Sequence, residues 1–119
     1  MHSALLLTQT PNASQAQGLR SIEHGFIPPI LDLEELDGRL LVEAEEAFFW
    51  TKQLLDVAGV FAGISSGAVI AAARKVAEKM TSGRIVCLLA DGGWKYLSTG
   101  LWTRKYGDIE SEIQGKIWW

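Results

Sequence analysis

The chain has 119 residues, 48% of them hydrophobic, a length that suits one domain or a piece of a larger one with a real core. Its 11 basic and 14 acidic residues give a net charge of −3 and form no long runs, which argues against nucleic acid as the main partner. The single cysteine, Cys87, rules out a disulfide framework and a cysteine metal site. Because it lies in an apolar run, we expect it to be a buried core thiol.

The first 17 residues are polar and rich in turn signals, and we interpret them as an irregular lead-in. Residues 4–7 form an apolar patch that no basic segment precedes and no small-residue cleavage pattern follows. The patch is also far shorter than a membrane span. These features predict a cytoplasmic protein without a membrane partner.

Two helices are predicted further along the chain. Residues 25–41 hold turn and breaker signals that indicate a structured loop, followed by a short strand at 40–42. Residues 43–57 then show helical spacing of apolar side chains, acids in the first turn and a glycine after the end. A second helix starts from the turn at 63–67 and continues to about Met80, with Gly83 closing it.

Residues 85–90 form a continuous apolar run bounded by Arg84 and Asp91, which is typical of a strand covered on both faces in a parallel sheet. The order of helices and strands indicates an α/β fold with a partial parallel sheet and flanking helices. Two or three strands would leave long apolar edges, which folded proteins normally cover. We therefore expect further strands from an upstream segment or from another chain.

The turn Gly63-Ile64-Ser65-Ser66-Gly67 is the strongest local signal. A helix start presents backbone N–H groups that bind anions and polar ligand atoms, whereas serines there are also ordinary helix caps. The turn formally matches the G-x-S-x-G nucleophile elbow of α/β hydrolases. In that family the histidine follows the serine, but His2 and His24 both precede it here, which argues against a hydrolase.

Three blocks of sequence carry a resemblance to a known family. They are Gly18-Leu19-Arg20 with Gly25-Phe26-Ile27-Pro28, then Gly63-Ile64-Ser65-Ser66-Gly67-Ala68, then Asp91-Gly92-Gly93-Trp94-Lys95-Tyr96-Leu97-Ser98-Thr99-Gly100. In order and spacing they resemble the C-terminal region of the cysteine synthases, the O-acetylserine or O-phosphoserine sulfhydrylases, and most of all the actinobacterial cysteine synthase B type. The resemblance implies that residues 18–119 are the C-terminal part of the cofactor-binding domain of a fold-type II pyridoxal-phosphate enzyme, similar to the tryptophan synthase beta fold.

The resemblance also implies roles for single residues. Ser65 would hydrogen-bond the pyridine nitrogen of pyridoxal phosphate, with Gly63, Ile64 and Asp91 lining the cofactor pocket. A neutral hydroxyl cannot protonate that nitrogen, so the ring is a weaker electron sink, which favours elimination and replacement at the β-carbon. Gly67 would let the backbone approach the ligand closely. Arg20 would bind the substrate phosphate, and the alternative is a surface salt-bridge arginine.

The family's lysine motif and its Gly-Thr-rich phosphate loop do not occur in this sequence. We therefore expect a segment that is inactive by itself and belongs to an enzyme making L-cysteine by β-replacement on O-phosphoserine or O-acetylserine. The implied partners are that amino-acid substrate, a sulfide or thiocarboxylate donor and a second copy in a homodimer. Trp94, Tyr96, Leu97 and Leu101 are interpreted as packing residues, and residues 102–119 as a tail over the active-site mouth. The alternative is a non-catalytic fragment that acts as a binding or assembly module through apolar edges and tryptophans.

Overall fold

The computed structural model of the chain describes residues 5–9 and 29–113, with side chains described for residues 29–110. Within these ranges the chain forms two strands, β1 (Leu5–Gln9) and β2 (Gly38–Val42). Three α-helices follow, α1 (Ala44–Ala58), α2 (Ile64–Ala77) and α3 (Tyr106–Ile113). The described part of the chain also contains two 3-10 helices, one at Leu33–Glu35 and one at Gly93–Thr99.

The sheet is parallel and two-stranded, with β1 and β2 in register from Leu5 opposite Gly38 to Gln9 opposite Val42. The strand predicted at 40–42 is confirmed and begins two residues earlier. The prediction that residues 1–17 are irregular is wrong, because β1 lies within them. Pairing with a segment about thirty residues away forms β1, and local sequence does not encode such a contact.

The first predicted helix is confirmed as α1. Glu45 and Glu46 occupy its first turn, where their negative charges interact favourably with the positive end of the helix dipole. Gly59 ends the helix with φ 66°, and its N–H donates to the carbonyls of Leu54 and Leu55. The left-handed backbone conformation at this position favours glycine, which explains why a glycine follows the predicted helix.

Helix α2 packs closely against α1 at Gly67. A Cβ at this position would clash with the carbonyl oxygen of Ala47 and with Thr51 of α1. A core cluster beside this contact is built from small side chains: Val42, Ala47, Ala68, Ala71 and Ala72. The close contact seen at Gly67 is therefore with the neighbouring helix, and close approach to a ligand stays a prediction.

The end of α2 differs from the prediction. The helix ends at Ala77 rather than near Met80, and Gly83 lies beyond its end. The N–H groups of Lys79 and Met80 donate to carbonyls three residues back, at 3.0 and 3.1 Å. Such tighter bonds are typical of a last turn that changes from α to 3-10 geometry.

The apolar run at 85–90 does not form the predicted strand. Val86 is 95% exposed and Leu88 81%, and Cys87 is only partly buried, so the expectation of a buried thiol is also wrong. A strand exists only where a neighbour accepts its backbone hydrogen bonds. Among the described residues, none supplies such a neighbour to this run.

A second core cluster joins α3 and the second 3-10 helix to the starts of α1 and α2. Its buried members are Phe48, Ile64, Tyr96, Leu101 and Ile109. Tyr96 and Leu101 thus pack as predicted, whereas Trp94 and Leu97 are exposed. The predicted tail, residues 102–119, contributes the buried Ile109 to this core. Its last residues, 114–119, lie outside the described part. Within the described ranges, each helix falls short of the length and apolar character that crossing a bilayer requires.

Candidate functional site

A short backbone clamp fixes the turn that opens α2. The N–H of Gly63 donates to the carbonyl of Asp91 at 3.0 Å, and the N–H of Gly93 donates to the carbonyl of Phe61 at 3.1 Å. Ala62 and Gly92 form an antiparallel bridge between these two bonds. The turn at 63–67 and the start of the second 3-10 helix are therefore held at a fixed distance.

Gly63 makes this close arrangement sterically possible. A Cβ at position 63 would clash with the carboxyl group of Asp91 and with the ring of Tyr96. The side chain of the next residue, Ile64, is buried in the second core cluster. At this turn Gly63 and Ile64 can therefore offer backbone atoms to a ligand, but no side chain.

The two serines of the turn have opposite surroundings. Ser66 is fully buried, and its hydroxyl finds no hydrogen-bond partner among the described residues. Ser65 is half-buried, with its Oγ 3.4 Å from Oδ1 of Asp91. Ser65 is therefore the serine whose hydroxyl a ligand at the start of α2 can reach.

Interpreting the serines as helix caps is wrong. The N-cap of α2 is Gly63, and no side-chain capping hydrogen bond is formed. Both serines lie inside the first turn of the helix, where a side chain no longer occupies the N-cap position. The helix starts two residues earlier than capping by Ser65 would require.

The carboxylate of Asp91 links the two elements. Its Oδ1 faces the Ser65 hydroxyl, and its Oδ2 accepts a hydrogen bond from the Tyr96 hydroxyl at 2.9 Å. Burial raises the pKa of Tyr96 well above its usual range, and the hydrogen bond and charge of Asp91 raise it further. Tyr96 consequently keeps its proton and remains a donor at neutral pH.

Sequence reasoning selected Asp91 but treated Tyr96 as a packing residue only. Both descriptions of Tyr96 apply, since its ring is buried in the core while its hydroxyl reaches Asp91. The signal that could have revealed the contact between Tyr96 and Asp91 is their spacing of five residues, which spans the turn and the first part of the 3-10 helix. Buried tyrosines usually find a partner for the hydroxyl, and the neighbouring carboxylate was available.

Other predicted features lie elsewhere or outside the described part. Arg20, His2 and His24 fall among the residues that are not described, so the phosphate-binding role of Arg20 stays a prediction. A shallow groove at the C-terminal end of α2 is lined in part by Met80 and Ile85. A helix of this length spans about 20 Å, which separates that groove from Ser65.

Comparison with known proteins agrees with the motifs. No family model matches the chain. It is 41% identical over 93 residues to the cysteine synthase of Aquifex aeolicus, covering 75% of this chain and 28% of that protein. It is 39% identical over 106 residues to cysteine synthase A of Escherichia coli K12, covering 87% of this chain and 31% of that protein.

The chain belongs to the cysteine synthase family and matches a segment of its members. It spans about 30% of the length of these two curated relatives, and the match fits a C-terminal segment. A crystal structure of O-ureido-L-serine synthase bound to O-ureido-L-serine superposes with a TM-score of 0.73 at 28% identity, covering 96% of this chain and 39% of that one. The fold is therefore part of the fold-type II pyridoxal-phosphate architecture, as predicted from the three sequence blocks.

The residues at the start of α2 fit the ring end of such a cofactor. A half-buried neutral hydroxyl, Ser65, lies beside a helix N-terminus whose cap position carries no side-chain hydrogen bond. This donor set suits a heteroaromatic nitrogen, since both a hydroxyl and backbone N–H groups hydrogen-bond polar ring atoms. The match concerns the cysteine synthase family in general, and likeness to the actinobacterial B type stays a prediction.

Proposed function

We propose that this chain supplies the ring-nitrogen contact and part of the substrate site of a pyridoxal-phosphate-dependent cysteine synthase. The observation that carries the proposal is the half-buried Ser65 hydroxyl at the start of α2, backed by Asp91 at 3.4 Å. Gly63 and Ile64 complete the cofactor-binding set through their backbone, together with Asp91. When bound, pyridoxal phosphate supplies an electron-accepting ring for replacement at the β-carbon of an amino acid.

The proposed reaction makes L-cysteine from O-phosphoserine or O-acetylserine and a sulfide or thiocarboxylate donor. The proposed task of Ser65 is to orient the ring, and that of the clamp at 61–63 and 91–93 is to keep Ser65 in place. Arg20 would bind the phosphate of O-phosphoserine, because a guanidinium fork matches two phosphate oxygens. We further propose that the whole enzyme is a homodimer, and that this segment is inactive without a lysine motif that its own sequence does not contain.

A specific observation favours a second candidate, a binding or assembly module. The run at 85–90 exposes Val86 and Leu88, and other elements expose Val57, Trp94 and Leu97. Exposed apolar groups of this size are typical of surfaces that dock against another segment. Under the first proposal these groups pack within a complete enzyme, whereas under the second they bind an unrelated protein.

The test uses a chimera in which this chain replaces the matched segment of the Aquifex aeolicus relative. Ser65→Ala should lower kcat for cysteine formation about 10- to 100-fold, as expected for one lost hydrogen bond to a polar ligand atom. Ser66→Ala is the matched control and should change kcat less than about 2-fold, because that hydroxyl is buried away from the site. Equal losses in both variants, or a chimera without activity that binds no cofactor, would contradict the proposal.

The same chimera tests Arg20. Arg20→Ala should lower kcat/KM for O-phosphoserine about 10- to 100-fold and leave kcat/KM for O-acetylserine within about 3-fold, because only the first substrate carries the phosphate. Lys95→Ala removes one positive charge at an exposed position and is therefore the control for the change in net charge. If Arg20→Ala lowers kcat/KM equally for both substrates, Arg20 is structural and the preference for a phosphate ester fails.

A further inference from the structure

The diglycine Gly92-Gly93 lies at the centre of the backbone clamp. Gly92 pairs with Ala62 in the antiparallel bridge, and the N–H of Gly93 donates to the carbonyl of Phe61 at 3.1 Å. Both glycines are buried, although neither has a side chain that could shield its backbone. Side chains of other residues therefore cover them.

An indole ring covers Gly92. The three heavy atoms nearest to the place of a Cβ at position 92 all belong to the six-membered ring of Trp94, and a Cβ would clash with them. Gly92 has φ −88° and ψ 158°, values that any residue adopts, so a glycine is needed here for space and not for backbone conformation. Trp94 is 65% exposed, so one side of its ring packs on the clamp while the other faces solvent.

Two further rings cover Gly93. A Cβ at position 93 would lie 2.7 Å from the ring of Phe61 and 2.8 Å from that of Trp102. These two rings contact each other, with their centroids 4.6 Å apart. Because Gly92 is extended, positions 92 and 93 face opposite sides of the backbone. The clamp is therefore enclosed by aromatic rings on both sides.

The clamp in turn fixes the start of α2. Gly63, whose N–H donates to the carbonyl of Asp91 at 3.0 Å, is the N-cap of α2, and Ser65 follows in the first turn. Hydrogen bonds are stronger where water is kept away, and a ring packed on the bridge keeps water from one side of it. A clamp that opens more often leaves the Ser65 hydroxyl less well placed. A misplacement of about 1 Å at a reacting centre can cost about 100-fold in rate.

We propose that Trp94 is a positioning residue, whose indole closes the solvent side of the clamp and thereby holds Ser65 in place. The inference rests on the proposed function of Ser65 and adds to it the side chain that keeps this serine fixed. Trp102 closes the other side, but it also packs against the second core cluster. Trp94 is the exposed member of the cover, so its removal tests the clamp without opening that core.

The first test is amide hydrogen exchange of the full 119-residue chain, followed by NMR. Trp94→Ala should speed exchange at the clamp amides of Gly63 and Gly93 at least about 10-fold and leave the Leu54 amide of α1 unchanged, because the opening is local. Trp94→Phe restores a ring and should stay within about 3-fold of wild type, as should Leu97→Ala, an exposed change on the same 3-10 helix. Unchanged exchange at the clamp, or equal acceleration at Leu54, would overturn the positioning role.

A substitution on the other side of the contact tests the same claim even if Trp94→Ala weakens folding. Gly92→Ala places a methyl group where the indole lies and should speed exchange at the clamp about as much as Trp94→Ala. In the Trp94→Ala background the same change should add less than about 2-fold, because the ring that it displaces is gone. Additive effects of the two substitutions would show that the ring does not close the clamp.

The chimera with the Aquifex aeolicus relative connects the clamp to Ser65. Trp94→Ala should lower kcat about 5- to 20-fold and change KM less than about 3-fold, because the positioning of Ser65 is affected, and Trp94→Phe should recover most of the loss. If Ser65→Ala lowers kcat but Trp94→Ala does not, the positioning role is overturned and the proposed function stands. If Ser65→Ala leaves kcat unchanged, the proposed function fails, and the exchange rates still decide whether Trp94 closes the clamp.

Discussion

Ser65 and Ser66 are neighbours in the sequence, yet one faces a candidate ligand site and the other lies inside the protein. The difference follows from the start of α2 at Ile64, which buries Ser66 and leaves Ser65 beside Asp91. The sequence motif predicted which serine would contact the ligand. Helix geometry explains why the two serines have different surroundings, because successive helical residues point about 100° apart.

At the residue scale, Tyr96→Phe should lower the free energy of unfolding by about 1–3 kcal/mol, since it removes a donor from a partly buried carboxylate and keeps the ring packing. Urea unfolding followed by tryptophan fluorescence measures the change. Leu97→Ala, an exposed neighbour, is the control and should stay within about 0.5 kcal/mol of wild type. A loss in the control as large as that in Tyr96→Phe would show that packing of the 3-10 helix is responsible.

The same residue predicts an alkaline response. The folded pKa of Tyr96 is raised above its ordinary value of 10.0, so its contribution to stability is complete below pH 10 and is lost as pH rises beyond it. The unfolded chain then releases a proton that the folded chain keeps. Between pH 9 and about pH 11, wild type should therefore lose more stability than Tyr96→Phe; parallel curves would contradict the raised pKa.

At the element scale, the contact between α1 and α2 decides where the turn at 63–67 lies. Gly67 lets the two helices approach until the Ala47 carbonyl and Thr51 occupy the space of a side chain. Helical periodicity predicted both helices, because apolar spacing is local information. It could not predict that Gly67 lies against the neighbouring helix, because that depends on which surfaces come together.

Gly67→Ala should lower the free energy of unfolding by about 2–4 kcal/mol, because the added methyl group meets backbone as well as side-chain atoms. Chemical denaturation of the full chain measures it. The matched control is Gly107→Ala in α3, where a Cβ meets nothing within 4 Å, and it should be neutral or slightly stabilising. Equal effects of the two substitutions would contradict the close packing of α1 on α2.

At the scale of the whole molecule, the sequence encodes more sheet than the described residues form. The apolar run at 85–90 has the composition of a buried strand, but Val86 and Leu88 are exposed. Composition predicts what a segment forms when it has partners, and it does not reveal whether the partners are present. The two-stranded sheet shows the converse, because β1 forms in a segment with turn-rich composition by pairing with the distant strand β2.

Hydrogen exchange should reveal this unpaired run. In the 119-residue chain the amides of residues 85–90 should exchange far faster than those of Thr51 and Leu54, which lie buried in α1. In the chimera with the Aquifex aeolicus relative, the same amides should become protected as neighbouring strands pair with them. Protection of 85–90 equal to that of α1 in the isolated chain would mean that the run already has a partner.

The most direct test of the Ser65 contact is a crystal structure of that chimera with pyridoxal phosphate bound. We expect Ser65 Oγ within about 2.6–3.2 Å of the ring nitrogen, with Asp91 on the far side of the hydroxyl. A ring nitrogen bonded to another side chain, or a ring bound away from the start of α2, would contradict the account.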